Sequence, residues 1–255
     1  PMLDTAWERH LPMDMTWEGY AREARRLGVD PDGRAALRAE LTLSTLPPSW
    51  MRAGDGELGE VEHYHAPPQD RSTNSGLSTE LADLITRRFA YATLGTVHNS
   101  RHALRKTMLA ALADLPVDVL FTAGPGIDLD RLGAQAQNIT LESFVPQSLV
   151  VPHAALVVSH AGLGTVIGAL YEGVPMVLIS IATDHPINAE RAVTLGVART
   201  IDIAECEPEQ LRAQIMLALA DGHLRERATE ISDECRSLPE IGSAAQALES
   251  YASRT

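Results

Sequence analysis

Asn138–Gly196 reads NITLESFVPQSLVVPHAALVVSHAGLGTVIGALYEGVPMVLISIATDHPINAERAVTLG. Three apolar runs, ITLESF (139–144), ALVVS (155–159) and VPMVLIS (174–180), have the length and β-branched content of strands. Helix-like segments lie between them: Leu163 to Glu172, with Gly173 as its C-cap, and Ile187 to Leu195. Strand–helix–strand order predicts a parallel sheet with crossover helices. The densest junction is Ser159-His160-Ala161-Gly162-Leu163-Gly164-Thr165, where a buried strand opens into a helix whose free backbone N–H groups can hold an anion.

The same alternation extends in both directions. Upstream, Phe89–Leu94 is a strand with exit loop Gly95-Thr96-Val97, a helix runs from Arg101 to Ala113, and VDVLFTAG (117–124) is a second strand ending in Gly124-Pro125-Gly126. A short helix is expected over Leu129–Gln137. Downstream, VARTI (197–201) is a sixth strand, followed by helices Pro208–Ala220, Leu224–Arg236 and Gly242–Ala252. The fold class is therefore α/β, a doubly wound parallel sheet. In such sheets ligands bind beyond the carboxyl ends of the strands. The loops at 95–97, 124–126, 144–148, 159–165 and 180–186 all follow strands, so all face that edge.

The first 78 residues are different. Helices are expected over Trp17–Leu27, stopped by Gly28, and Asp32–Leu41, with Asp30-Pro31 before the latter as cap and first-turn proline. LTLSTL (41–46) and Val61–His65 read as short strands, and Ala66–Ser78 (APPQDRSTNSGLS) as a linker. These pieces do not make an α/β core of their own. The expected division is a partial N-terminal domain with linker over 1–78 and the doubly wound domain over 79–255.

The chain has 255 residues and a net charge of −13, which argues against a nucleic-acid or anionic-membrane surface. No apolar run reaches membrane-spanning length, and PMLDTAWERH at the start lacks the pattern of a signal peptide. Position 1 is not Met, as in a processed, trimmed or partial chain. Cys206 and Cys235 have no metal-like spacing and read as reduced thiols of a cytoplasmic protein.

Each candidate motif has a plainer reading beside the functional one. Gly162 and Gly164 let a ligand approach the backbone, Thr165 and the helix N–H groups suit phosphate oxygens, and His160 adds a hydrogen bond or a charge. Otherwise they are packing glycines in a tight turn; the pattern is neither the dinucleotide fingerprint nor a P-loop. Gly95-Thr96 either meets the same anion or is an ordinary strand–helix turn. Phe144-Val145-Pro146-Gln147 offers a ring face and an amide, suited to a pyrimidine base, or a buried anchor for its loop. Asp184-His185 can bind sugar hydroxyls, or Asp184 simply caps the helix that Pro186 starts. The remaining histidines, including the pair His63 and His65, show no metal-ligand constellation, and no GxSxG elbow is present.

Together these motifs resemble the C-terminal domain of GT-B glycosyltransferases, most closely the bacterial antibiotic and macrolide group related to UDP-glucuronosyl and plant secondary-metabolite enzymes. The matching residues come in family order: Leu94-Gly95-Thr96, Phe144-Val145-Pro146-Gln147, His160-Ala161-Gly162-Leu163-Gly164-Thr165, Gly173-Val174-Pro175 and Asp184-His185-Pro186-Ile187-Asn188-Ala189-Glu190-Arg191. The resemblance implies a Rossmann-like donor domain preceded by the tail of an acceptor domain. It implies that His160, Gly162, Gly164 and Thr165 bind the donor's diphosphate with support from Thr96. Phe144, Val145 and Gln147 would hold the base, and Asp184 and His185 the sugar.

The implied reaction is inverting transfer from a dTDP- or UDP-sugar to a small natural-product acceptor, with no cofactor and no metal. A homodimer or a partner chain carrying the acceptor domain would be compatible with it. Four positions depart from the family pattern. Ala161 replaces a glycine, His185 stands where Gln is commoner, and Gly168 takes the place of a ribose-binding Glu of plant relatives, which suits a deoxyribose donor. The fourth concerns the family's catalytic base, a histidine in a Gly/His/Pro loop after the first strand of the acceptor domain. His10-Leu11-Pro12 lacks that context, so no catalytic residue is assigned and the acceptor half is expected to be mostly missing. The alternatives are a non-catalytic or split donor-binding half that works with a separate acceptor-domain chain, or a nucleotide-sugar epimerase or hydrolase of the same fold.

Overall fold

The structure, a computed structural model, describes residues 41–51, 60–66, 77–95, 101–133 and 135–253. The helices expected over 17–27 and 32–41, most of the 66–78 linker, and His10, Thr96 and His98 lie outside the described residues. Two compact units are present, dividing at 64/65 and at 238/239: the last segment of the chain belongs with the first.

In the smaller unit, β1 (Leu41–Ser44) pairs in parallel with β2 (Glu60–His63), from Leu41↔Glu60 to Ser44↔His63. A ring nitrogen of His63 lies 2.7 Å from the Leu46 carbonyl oxygen, across the turn that follows β1. Helix α8 (Ala244–Ala252) closes the chain.

The larger unit carries the six-stranded parallel sheet. Its strands are β3 (Phe89–Thr93), β4 (Asp118–Thr122), β5 (Ile139–Glu142), β6 (Leu156–Ser159), β7 (Met176–Ser180) and β8 (Ala198–Asp202), in spatial order β5-β4-β3-β6-β7-β8. This is the doubly wound order, with its reversal between β3 and β6. Burial follows position. All five residues of β3 and all four of β6 are buried, whereas the edge strand β5 is intermediate throughout and β8 is buried only at Ala198 and Ile201. Central parallel strands are covered on both faces and therefore read as continuous apolar runs.

The helices supply that cover. Helix α1 (Thr79–Leu84) begins where the linker reading ended; Ser78 caps it by accepting from the Leu81 N–H, and Glu80 stands in its first turn. Helix α2 (His102–Leu112) packs on α6 (Pro208–Ala220) over one sheet face, where Leu104, Met108, Leu211 and Ile215 bury Ala92, Phe121, Val158 and Val177. Arg212 of α6 donates to the Ala110 and Ala113 carbonyls, satisfying the C-terminal end of α2. Helix α4 (Leu163–Glu172) packs on α7 (Gly222–Ser237), and Ser232 donates to the Tyr171 carbonyl at 2.6 Å. Helix α5 (His185–Thr194) lies on β7 and β8.

Two local expectations change. The helix expected over 129–137 is only a 3-10 turn, Leu129–Leu132, because Gly133 adopts φ 78° and Gln135 turns its side-chain amide onto the Leu132 and Gly133 carbonyls. The loop at 144–148 contains a one-turn helix, α3 (Gln147–Val150), followed by a 3-10 turn at Val151–His153. Cys206 and Cys235 are both buried and free, and burial pushes their thiols up to about 11 and about 12.

Gly173 ends α4 in the left-handed conformation, φ 68°, where an added Cβ would stand 3.2 Å from Ser232 Cβ. Gly173→Ala is expected to lower the free energy of unfolding by about 1–2 kcal/mol, read from urea denaturation; an unchanged midpoint would refute this account of the α4–α7 junction.

Candidate functional site

The site forms where β3 and β6 end side by side. Thr93 and Ser159 are the last residues of these strands and are Cα partners in the register. Each makes the same local turn: the Thr93 hydroxyl oxygen accepts from the Gly95 N–H at 3.1 Å, and that of Ser159 from the Ala161 N–H at 3.4 Å. Both loops then leave the sheet at its point of reversal, where a crevice opens because the flanking helices lie on opposite faces.

His160 fills the space between these loops and is 8% exposed. A Cβ on Gly95 would come within 2.6 Å of its Cε1, and one on Gly162 within 2.4 Å of its Nε2. The ring therefore needs both glycines. Its third neighbour is the ring of His185, edge-to-face with centroids 4.9 Å apart. Gly164 is different: among the described residues nothing lies within 4 Å of its would-be Cβ.

Helix α4 begins at Gly162 with no side-chain cap and no acidic residue in its first turn. The Thr165 and Val166 N–H groups bond the Gly162 carbonyl, and the N–H groups ahead of them lie at the positive end of the helix dipole. Thr165 is buried, and its Oγ1 lies 3.3 Å from Gln147 Nε2. The amide is the donor there, so the Thr165 proton remains available to an anion. The same contact joins the Phe144–Gln147 loop to the α4 mouth. Val145 is buried, but Phe144 is 48% exposed, so its ring face is presented to solvent instead of anchoring the loop.

On the other side stands Asp184, at the start of α5. It occupies the N-cap position but makes no side-chain cap bond. Its carboxylate instead takes Thr183 Oγ1 at 2.9 Å and Asn188 Nδ2 at 2.8 Å. Burial pushes this carboxyl up, but the hydrogen bonds from Thr183, Asn188 and its own backbone, with the nearby His185, outweigh it and hold Asp184 below its ordinary value of 3.8. It is an ionised acceptor at neutral pH. His185 is 3% exposed; the Ala182 N–H donates to its Nδ1 at 3.4 Å, and its Nε2 lies 3.9 Å from Asp184 Oδ1.

The structure thus gathers His160, Gly162, Gly164 and Thr165 at the α4 mouth and ties Gln147 and Asp184 to it by side-chain hydrogen bonds. Thr96 lies outside the described residues; its neighbour Gly95 packs against His160. Thr93 and Ser159 were not among the candidates, and Asn188 was noted as an amide at the helix start without a role of its own. Asn188 is one helical turn after Asp184, and that i,i+4 spacing is a signal that could have found it. Thr183 and Ala161 hold φ 57° and 62°, which no residue pattern announces. Among the described residues, no three His, Cys, Asp or Glu side chains gather as metal ligands would, and no helix is long and apolar enough to cross a membrane.

The arrangement sets donors for an anion, an exposed ring and an ionised hydroxyl acceptor around one crevice. Residues 106–250 match the family model described as erythromycin biosynthesis protein CIII-like, C-terminal domain. The chain belongs to this family. Among the relatives of this erythromycin-biosynthesis-CIII-like domain is demethyllactenocin mycarosyltransferase of Streptomyces fradiae, 26% identical over 202 residues, which cover 79% of this chain and 43% of that protein. The UDP-glucosyltransferase avaP of Aspergillus versicolor is 32% identical over 142 residues, 55% of this chain and 30% of that protein. The matched stretches cover less than half the length of either relative. The GT-B fold is shared with the glycosyltransferase VinC, solved in complex with dTDP (TM-score 0.77, 24% identity, 99% of this chain and 61% of that one). It is shared also with the glycosyltransferase of kitacinnamycin (TM-score 0.75, 26% identity, 95% and 63%).

Two outcomes follow from this geometry. Gly162→Ala should displace the His160 ring, shifting its imidazole NMR signals and lowering stability by about 1–3 kcal/mol. Gly164→Ala, with nothing within 4 Å of its Cβ among the described residues, should leave those signals in place; equal shifts in both variants would contradict the packing described. Asp184 has a depressed folded pKa, so its contribution to stability is present above 3.8 and lost as pH falls through the lower folded value. Asp184→Asn should therefore lower stability at neutral pH, with the two chains converging in acid denaturation below pH 3.8.

Proposed function

We propose that this chain is the donor-binding part of an inverting glycosyltransferase that moves a sugar from a nucleoside diphosphate to a small natural-product-type acceptor. Residues 79–238 serve as the donor domain, and residues 1–78 as the tail of the acceptor domain with its linker, with 239–255 grouped with that first segment. The observation that carries this reading is the uncapped start of α4 at the β3/β6 reversal, with His160 seated between two glycine loops beside it. A diphosphate fits that mouth: the α4 N–H groups and the Thr165 hydroxyl donate to its oxygens. The base rests on the exposed face of Phe144 beside Val145, with Gln147 near its edge. Sugar hydroxyls donate to the ionised Asp184, with His185 behind it.

In the transfer, a base removes the proton of an acceptor hydroxyl as its oxygen attacks the anomeric carbon. The bond from that carbon to the diphosphate oxygen breaks on the opposite side, and configuration inverts. Negative charge grows on the leaving diphosphate, where the α4 dipole and His160 are already oriented to stabilise it. The base comes from the acceptor side, as the family resemblance implies. Neither metal nor cofactor is needed for these steps.

Gly168 is buried in α4 and offers no carboxylate to a ribose, which supports a deoxyribose donor. The dTDP named in the VinC complex supports the same choice. Calorimetry on the chain with dTDP, UDP and their glucose conjugates tests both points. Binding of dTDP tighter than UDP, weakened at least tenfold in His160→Ala, is expected. Tighter UDP would overturn the donor assignment, and no binding of any of the four would overturn the function.

A further inference from the structure

Asn188 has the buried position and the bonding of a residue that serves two loops at once. It is 5% exposed, in the first turns of α5. Its side-chain Nδ2 donates to the Ala161 carbonyl at 3.0 Å and to Asp184 Oδ2 at 2.8 Å. An amide nitrogen carries two protons, so both bonds form together and its donor capacity is used up. One partner lies in the loop after β6 and the other in the loop after β7.

We infer that Asn188 is a positioning residue that locks the anion mouth of α4 and the Asp184 carboxylate into one rigid arrangement. The argument runs through the peptide plane. The bond between Ala161 and Gly162 is planar and trans, so the Ala161 C=O and the Gly162 N–H point in opposite directions. Holding that carbonyl sets the direction of the Gly162 N–H at the start of α4. It also holds Ala161 at φ 62°, a conformation an alanine avoids without support. The second proton draws the Asp184 carboxylate toward α5 and away from the cap position, on the far side of a residue, Thr183, that is likewise left-handed at φ 57°. One amide thus holds the left-handed Ala161 directly and shares the Asp184 carboxylate with the hydroxyl of the left-handed Thr183. The distance between the atoms that hold the diphosphate and the carboxylate that receives the sugar is then set by a single side chain. A residue in this role decides which nucleotide-sugar geometry is accepted, a step that rests on the donor-site reading above.

The test has one arm without ligand and one with. In the full chain, Asn188→Ala should move the NMR-detected titration of Asp184 up toward the ordinary carboxylate range and should shift the Gly162 and Leu163 amide signals. Asn188→Ser, with one proton to donate, should restore one of the two effects and not both. It also serves as the readable variant if Asn188→Ala does not fold. In calorimetry with dTDP and dTDP-glucose, Asn188→Ala should weaken dTDP about tenfold and should reduce the extra affinity that the glucose supplies. A lowered melting temperature with unchanged Gly162 and Leu163 signals would overturn the inference, because a merely structural residue behaves that way. Wild-type chain that binds neither ligand while the two NMR effects appear would overturn the donor-site reading and leave the coupling of the loops standing.

Discussion

The parallel pairing of β3 with β6 is the constraint on which everything else in the larger unit depends. Thr93 and Ser159 are partners in that register, and chain order reverses on either side of the pair. Helices from the two halves must therefore cover opposite faces, and a crevice remains where they part. The candidate groups follow β3 and β6 themselves, the flanking strand β7, and the edge strand β5, whose Phe144–Gln147 loop reaches Thr165.

Around this crevice, packing and ligand chemistry share the same atoms. Gly162 looks like a glycine that admits a ligand, yet its missing side chain makes room for the His160 ring. Gly164, two positions on, has no such neighbour among the described residues. The left-handed Ala161 and Thr183 each cost about 1–2 kcal/mol. The hydrogen bond that Asn188 makes to the Ala161 carbonyl, about 1 kcal/mol, is of a size to offset the strain at that residue. The loops around the candidate site are thus held in place by bonds within the chain.

Strands and helices of the doubly wound domain were legible because their apolar periodicity is strong and their termini carry caps and glycines. Leu163–Glu172 and Pro208–Ala220 agree residue for residue with expectation. The expectation over 129–137 failed because Gly133 and Gln135 satisfied backbone groups locally and stopped the helix after one turn. Helix α1 has no counterpart in the sequence reading, which names no element between the linker and Phe89, although Ser78 and Glu80 mark its start; its six residues are too few for a periodic signal. Asp184 was read as a sugar ligand or a helix cap. It sits at the cap position without capping, a distinction that depends on the side-chain torsions set by Thr183 and Asn188.

The sequence by itself determined the alternation of parallel strands and crossover helices, the edge of the sheet where the loops gather, and the order of the motifs along the chain. These follow from short-range pattern: burial on both faces, turn chemistry and capping are each written within a few residues. Only the tertiary structure decided that His160 is walled by Gly95 from 65 residues earlier and by His185 from a later loop, that Gln147 reaches Thr165, and that Asn188 spans two loops. Such contacts join residues far apart in the chain. Their existence depends on the relative placement of whole strands, which local pattern does not encode.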